Sequence, residues 1–161
     1  MIRQVESHID SSPGGLPEEL FLFLSRVTPL VNVDLLIQDH SGRTLLTWRS
    51  DRFYGPGWHV PGGIIRFQET AANRVRAVAQ RELGTAVECD AAPVLVHENI
   101  MPSRRERGHF ISLLYRCRLA SDLDQHRQFD PERPLPDQWL WHASCPQNLI
   151  REQLAYAAFM G

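Results

Sequence analysis

Gly62-Gly-Ile-Ile-Arg-Phe-Gln-Glu69-Thr-Ala-Ala-Asn-Arg-Val-Arg-Ala-Val-Ala-Gln-Arg-Glu82-Leu-Gly84 joins a glycine pair to a run with helical periodicity. From Glu69 to Leu83 there is no glycine or proline, and Ala72, Val75, Val78, Ala79 and Leu83 recur at three- and four-residue spacing. This spacing predicts an amphipathic helix for which Gly84 is a natural stop. In front of it, Val60-Pro61-Gly62-Gly63 can bring bare backbone close to a ligand, because glycine removes the side-chain obstruction. An ion held between this loop and the helix would have hard oxygen ligands. Magnesium takes such ligands, commonly with only one or two carboxylates and with water or phosphate oxygens completing its shell. One well-placed glutamate can therefore suffice.

Gly63, five residues, Glu69 and an ending in Glu82-Leu83-Gly84 resemble the Nudix box, whose later positions carry an arginine-glutamate pair and then a glutamate pair. Here those pairs read Ala77-Val78 and Arg81-Glu82. The resemblance implies an α/β fold, the Nudix-type α/β/α sandwich with a mixed β-sheet. It also implies a hydrolase of nucleoside diphosphate derivatives that uses Mg2+ or Mn2+. A loop carbonyl that binds the metal falls on Gly62, and the last box glutamate, a metal ligand and catalytic group, falls on Glu82. The early glutamate, which orients the box, is Glu69, with its usual arginine partner replaced by Ala77. Loss of two box acids disfavours a multi-metal cluster.

Within this family, the GDP-mannose mannosyl hydrolases also lack the first two box glutamates, keep the last, and act at the anomeric carbon of the sugar. The chain is similar to them from about residue 28 to about residue 85. Thr28-Pro-Leu-Val-Asn-Val-Asp34-Leu-Leu-Ile-Gln38, Thr44-Leu-Leu-Thr-Trp-Arg49 and Gly57-Trp-His-Val-Pro-Gly-Gly63 carry that similarity. It implies substrate-binding roles for Arg49, at the end of the second strand, and for Asp34 in the first. A guanidinium suits phosphate because its planar donors reach oxygens in pairs. For Asp34 the alternative is an outward position on an alternating strand. The arginine that follows the glycine pair in that branch is Ile64 here, and Arg66, on the same side of an extended segment, is the substitute. The branch further implies a homodimer.

Cleaving a sugar from a nucleoside diphosphate requires a stabilised leaving group and a base for the attacking water. The late glutamine and histidine that act in the branch as metal ligand and base align with Leu135 and Pro136. The chain between Leu119 and Trp139 is polar and turn-rich, so this alignment can slide. Asp137 is the candidate replacement as catalytic group or ligand, and His126 a second base; each is otherwise a solvated loop residue. Glu98 and His109, at the ends of neighbouring strands, are further candidates whose alternative is a surface position. Trp58, beside the box loop, and Trp139 and Trp141 can stack on a base or sugar, or fill a core.

A chain of 161 residues, 43% hydrophobic and with formal charge -2, fits one domain spanning 1–161, of which 1–27 form an N-terminal extension and helix. No basic tract or zinc-finger spacing points to nucleic acid. Arg104-Arg105-Glu106-Arg107 is interrupted by acid and reads as a hairpin tip or as a lip that attracts phosphate. Cys89, Cys117 and Cys145 lack C-x-x-C spacing and suit reduced thiols in a cytoplasm. Met1 to Leu16 lacks the apolar core of a signal peptide, and no stretch reaches the roughly 20 apolar residues of a membrane helix. The expectation is a soluble cytoplasmic protein with no membrane partner.

Strands are expected at about 30–38, 43–49, 93–98, 109–119 and 138–142, with extended pieces near 58–66. Helices are expected at about 17–26, 69–83 and 146–160, the last starting at Pro146 and packing through Leu149, Ile150, Leu154, Ala157 and Ala158. Leu20-Phe-Leu-Phe-Leu24 gives the first helix an apolar body that packs on the domain or across a dimer. The expected activity is metal-dependent hydrolysis of a nucleoside diphosphate sugar, GDP-mannose-like, releasing the sugar. Two alternatives stay open: a nucleotide-binding or regulatory module without turnover, and cleavage at phosphorus.

Overall fold

Both faces of the first strand, β1 (Leu30–Ile37), are covered, and six of its eight residues are buried. The computed structural model describes residue 3, residues 5–7 and residues 16–161, so the reading of Met1 to Leu16 lies for the most part outside the described residues. One edge of β1 pairs antiparallel with β4 (Gly62–Ile64), and the other pairs parallel with β7 (His109–Leu119). The far edge of β7 carries β6 (Leu95–Ile100) and β5 (Val87–Cys89), both antiparallel, which completes a mixed five-stranded sheet. A second, antiparallel sheet has the order β3 (Gly57–His59), β2 (Thr44–Arg49), β8 (Trp139–His142).

Alternation along β1 sorts its side chains between two layers. Val33, Leu35 and Ile37 pack with Val75, Val78, Ala79 and Leu83 of the helical segment that follows the glycine pair. Leu36 joins Leu46, Val60, Leu149, Tyr156 and Met160 on the opposite side. The sheets therefore lie between a helical layer and a C-terminal layer, as an α/β sandwich requires. The short α1 (Glu18–Leu24) has no fully buried residue, and none of the helices among the described residues is long and apolar enough to cross a membrane.

Three expectations change in the structure. The box helix, α2 (Ala71–Val78), starts one residue after Thr70, whose Oγ1 accepts the N–H of Asn73 at 3.2 Å and caps the first turn. Ala72 is exposed, and Ala71 and Arg74 take the inner face in its place. The run then widens into a π turn, Ala79–Leu83, which Gly84 ends at φ 65°. The C-terminal helix expected over 146–160 is instead a 3₁₀ helix over Arg151–Phe159. Its start is delayed because Trp58 N–H donates to Asn148 O and Ile150 N–H donates to Trp58 O, which holds 148–150 extended. The 3₁₀ repeat buries Gln153 and Tyr156 and turns Leu154 outward. The extra strand β5 is only three residues long and too short to show a period.

Candidate active site

The two layers leave a cavity of about 870 Å³ whose walls come from β1, the end of β2, the box loop, the π turn and the 3₁₀ helix. Glu82 enters it from the π turn and is buried. Its Oε1 accepts from Arg81 Nη2 at 2.8 Å, and the same nitrogen lies 3.3 Å from the carbonyl oxygen of Gly62. Its Oε2 is buried without a hydrogen-bond partner, 4.0 Å from His59 Nε2. Burial drives the Glu82 carboxyl up to about 7 against the opposing pull of Arg81, and the charge of Asp137 adds to the rise. His59 is held by Thr47 Oγ1 at 2.9 Å, and burial, then the charge of Arg49, push it down to about 3, so the ring is neutral.

On the other side of Gly62 stands Asp34. The two residues are paired across β1 and β4, and a Cβ on Gly62 would lie 2.1 Å from Asp34 Oδ1, so only glycine fits. Asp34 points inward, which removes the outward alternative: its Oδ2 accepts from Tyr156 Oη at 2.5 Å and from Asn32 Nδ2 at 3.0 Å. Ser112 Oγ donates to Asn32 Oδ1 at 2.9 Å and extends the polar cluster. Burial raises the Asp34 carboxyl to about 6, against the hydrogen bonds from Tyr156 and Asn32 and the charge of Arg49.

Arg49 and Arg66 also line this cavity. Arg49 donates through Nε to Asp51 Oδ2 at 2.7 Å and lies 4.2 Å over the Tyr54 ring. Arg66 is exposed, and its backbone N–H donates to Glu69 Oε2. Glu69 is not left unpaired by Ala77, because Arg74 reaches it at 2.7 Å from one turn earlier. Asp137 is exposed in a left-handed backbone conformation, φ 65°, with its N–H on Trp48 O, and it shares the cavity wall with Glu82.

Other candidates lie elsewhere. Glu98 and His109 pair with each other at 3.2 Å outside the cavity walls. His126 sits on a 3₁₀ turn, Gln125–Arg127, with its N–H on Asp124 Oδ1. Trp58 is buried against Trp48, Phe129 and His142, and the Trp139 indole donates to Asp124 O; both are core residues. Trp141 is half-buried beneath Arg43. Arg107, from the stretch read as a hairpin tip or a lip that attracts phosphate, also lines the cavity. The site further contains residues to which the sequence reading gave no role in it: His59, Asn32, Ser112, Tyr156 and Arg81. Of these, Asn32 alone carried a signal, its two-residue spacing from Asp34 on one strand face.

Glu82 and the Gly62 carbonyl are hard oxygen donors, and the buried, unpartnered Glu82 Oε2 suits a cation. Among the described residues no three His, Cys, Asp or Glu side chains gather as a metal site. The donor set therefore fits an ion such as magnesium that takes a single carboxylate and fills its shell with water and phosphate oxygens.

One curated relative, the low-salt glycan biosynthesis protein Agl8 of Haloferax volcanii, is 34% identical over 82 residues, 51% of this chain and 52% of its own. The chain thus matches about half the length of that relative. Among solved structures, a MutT NUDIX hydrolase from Burkholderia pseudomallei superposes with a TM-score of 0.61 at 25% identity, over 80% of this chain and 95% of its own. A UDP-X diphosphatase shares the fold at 17% identity and a TM-score of 0.58, over 94% of this chain and 71% of its own. Residues 28–145, which include every strand of both sheets and the box, match the NUDIX domain model, and the chain belongs to that family of hydrolases.

Proposed function

We propose that this chain is a divalent-metal-dependent hydrolase of a nucleoside diphosphate sugar, GDP-mannose-like, that releases the sugar from the nucleoside diphosphate. The observation that carries the reading is the place of Gly62. Its carbonyl faces the Glu82 side of the cavity, and its Cα abuts the buried cluster of Asp34, Tyr156 and Asn32. A diphosphate site and a pocket of hydroxyl-binding groups are thereby adjacent, in a cavity of a size suited to small organic ligands.

Glu82 and the Gly62 carbonyl would hold the ion, which would supply charge neutralisation to the diphosphate leaving group. Arg49 and Arg66 contact phosphate oxygens. Asp34 and Asn32, fixed by Tyr156 and Ser112, orient sugar hydroxyls, and the exposed carboxylate of Asp137 takes the proton of the attacking water. The glycan-biosynthesis name of the Haloferax relative agrees with a sugar nucleotide substrate.

Incubation with a panel of nucleotide sugars and magnesium or manganese in oxygen-18 water should release free sugar labelled at carbon one. Glu82→Gln should reduce that turnover by about a thousandfold or more, as loss of the group that anchors the charge-stabilising ion demands. Label found in a phosphate overturns sugar release in favour of cleavage at phosphorus. No product from the whole panel overturns the activity.

A further inference from the structure

We infer that Arg81 is a built-in cation of the Glu82–Gly62 oxygen pair, a latch that a divalent ion must displace before the pair can bind it. The inference rests on the proposed reading of those two oxygens as ion ligands and adds a residue that acts against the ion. Arg81 stands where the box pattern has a glutamate, so a ligand position has become a competitor of opposite charge.

The geometry is specific. One nitrogen, Arg81 Nη2, lies 2.8 Å from Glu82 Oε1 and 3.3 Å from Gly62 O, so it sits in the gap between the carboxylate and the carbonyl where an ion held by both groups would lie. Magnesium draws its oxygen ligands to about 2.0–2.1 Å, and a guanidinium nitrogen cannot share that position. Repulsion between the two cations adds to the steric conflict.

The moving part is the arginine side chain. Its side chain is 57% exposed and that of Glu82 only 7%, so Arg81 can swing into solvent while Glu82 stays fixed. The Arg81 backbone is held, because Arg127 Nη1 donates to its carbonyl oxygen at 2.8 Å. Glu82 is the sole carboxylate in hydrogen-bond contact with Arg81 among the described residues. A diphosphate arriving with its ion offers the displaced guanidinium a new anion, so ion and nucleotide bind together better than the ion binds alone.

The test is titration of the full chain with manganese, with free ion followed by electron paramagnetic resonance, for wild type, Arg81→Met and Glu82→Gln. Arg81→Met keeps much of the aliphatic stem and removes the charge. It should bind manganese about tenfold more tightly than wild type, the size expected for removing a charge-assisted, partly exposed pair. Glu82→Gln should bind more weakly than wild type. Equal or weaker binding by Arg81→Met, with binding still dependent on Glu82, overturns the latch and leaves the ion site standing. Manganese binding unchanged in Glu82→Gln overturns the ion site itself.

Discussion

Asp34 is a carboxylate enclosed by Tyr156, Asn32 and the backbone of Gly62, and its protonation is tied to folding. Its carboxyl titrates at about 6 in the fold against 3.8 for the free group, so the native state holds the proton more tightly. The stability this group contributes is therefore full below about pH 4 and is lost as pH rises through about 6. Asp34→Asn removes the titration. Its stability relative to wild type should rise by roughly 2 to 3 kcal/mol between pH 4 and pH 7 in urea unfolding, and a difference that stays flat with pH counts against the buried-carboxyl account. At this scale the sequence was partly legible. Glu82 and Gly62 sit in a motif, but contact between Arg81 and Glu82 was not readable, because adjacent residues on an α-helix do not face each other and only the π turn brings both to the cavity.

The box loop and its helix are joined by two devices, the Thr70 cap and the Glu69–Arg74 pair. Arg74 is buried, with 6% of its side chain exposed, so removing its partner strands a charge in the interior. Glu69→Gln should therefore cost roughly 2 to 3 kcal/mol, and more than Arg74→Met, which replaces the charge by apolar volume. Equal costs in chemical denaturation would show that the pair is spread into solvent. Gly62→Ala should cost about 2 kcal/mol by the same measurement, because its Cβ would meet the Val33 carbonyl and the Asp34 carboxylate, which Tyr156 and Asn32 hold in place. Strands were readable from alternation, and α2 from its period. The 3₁₀ segment was not, since what keeps 148–150 extended is their pairing with Trp58, some ninety residues earlier in the chain.

Across the whole molecule, the C-terminal layer closes the site that the first half of the chain outlines. Gln153 accepts the Val60 N–H through Oε1 at 2.6 Å and donates through Nε2 to the Val60 carbonyl at 3.2 Å, clamping the start of the box loop. Gln153→Leu leaves two buried backbone groups without partners and should lower stability by roughly 2 to 4 kcal/mol in urea unfolding. An unchanged midpoint would mean that the loop holds itself. Asp34 and its partner Tyr156 are separated by 122 residues. At a synthesis rate of about 5 to 20 residues per second, Asp34 waits on the order of ten seconds before that partner is made. On a growing chain the box and Asp34 therefore exist before the residue that walls the cavity opposite them.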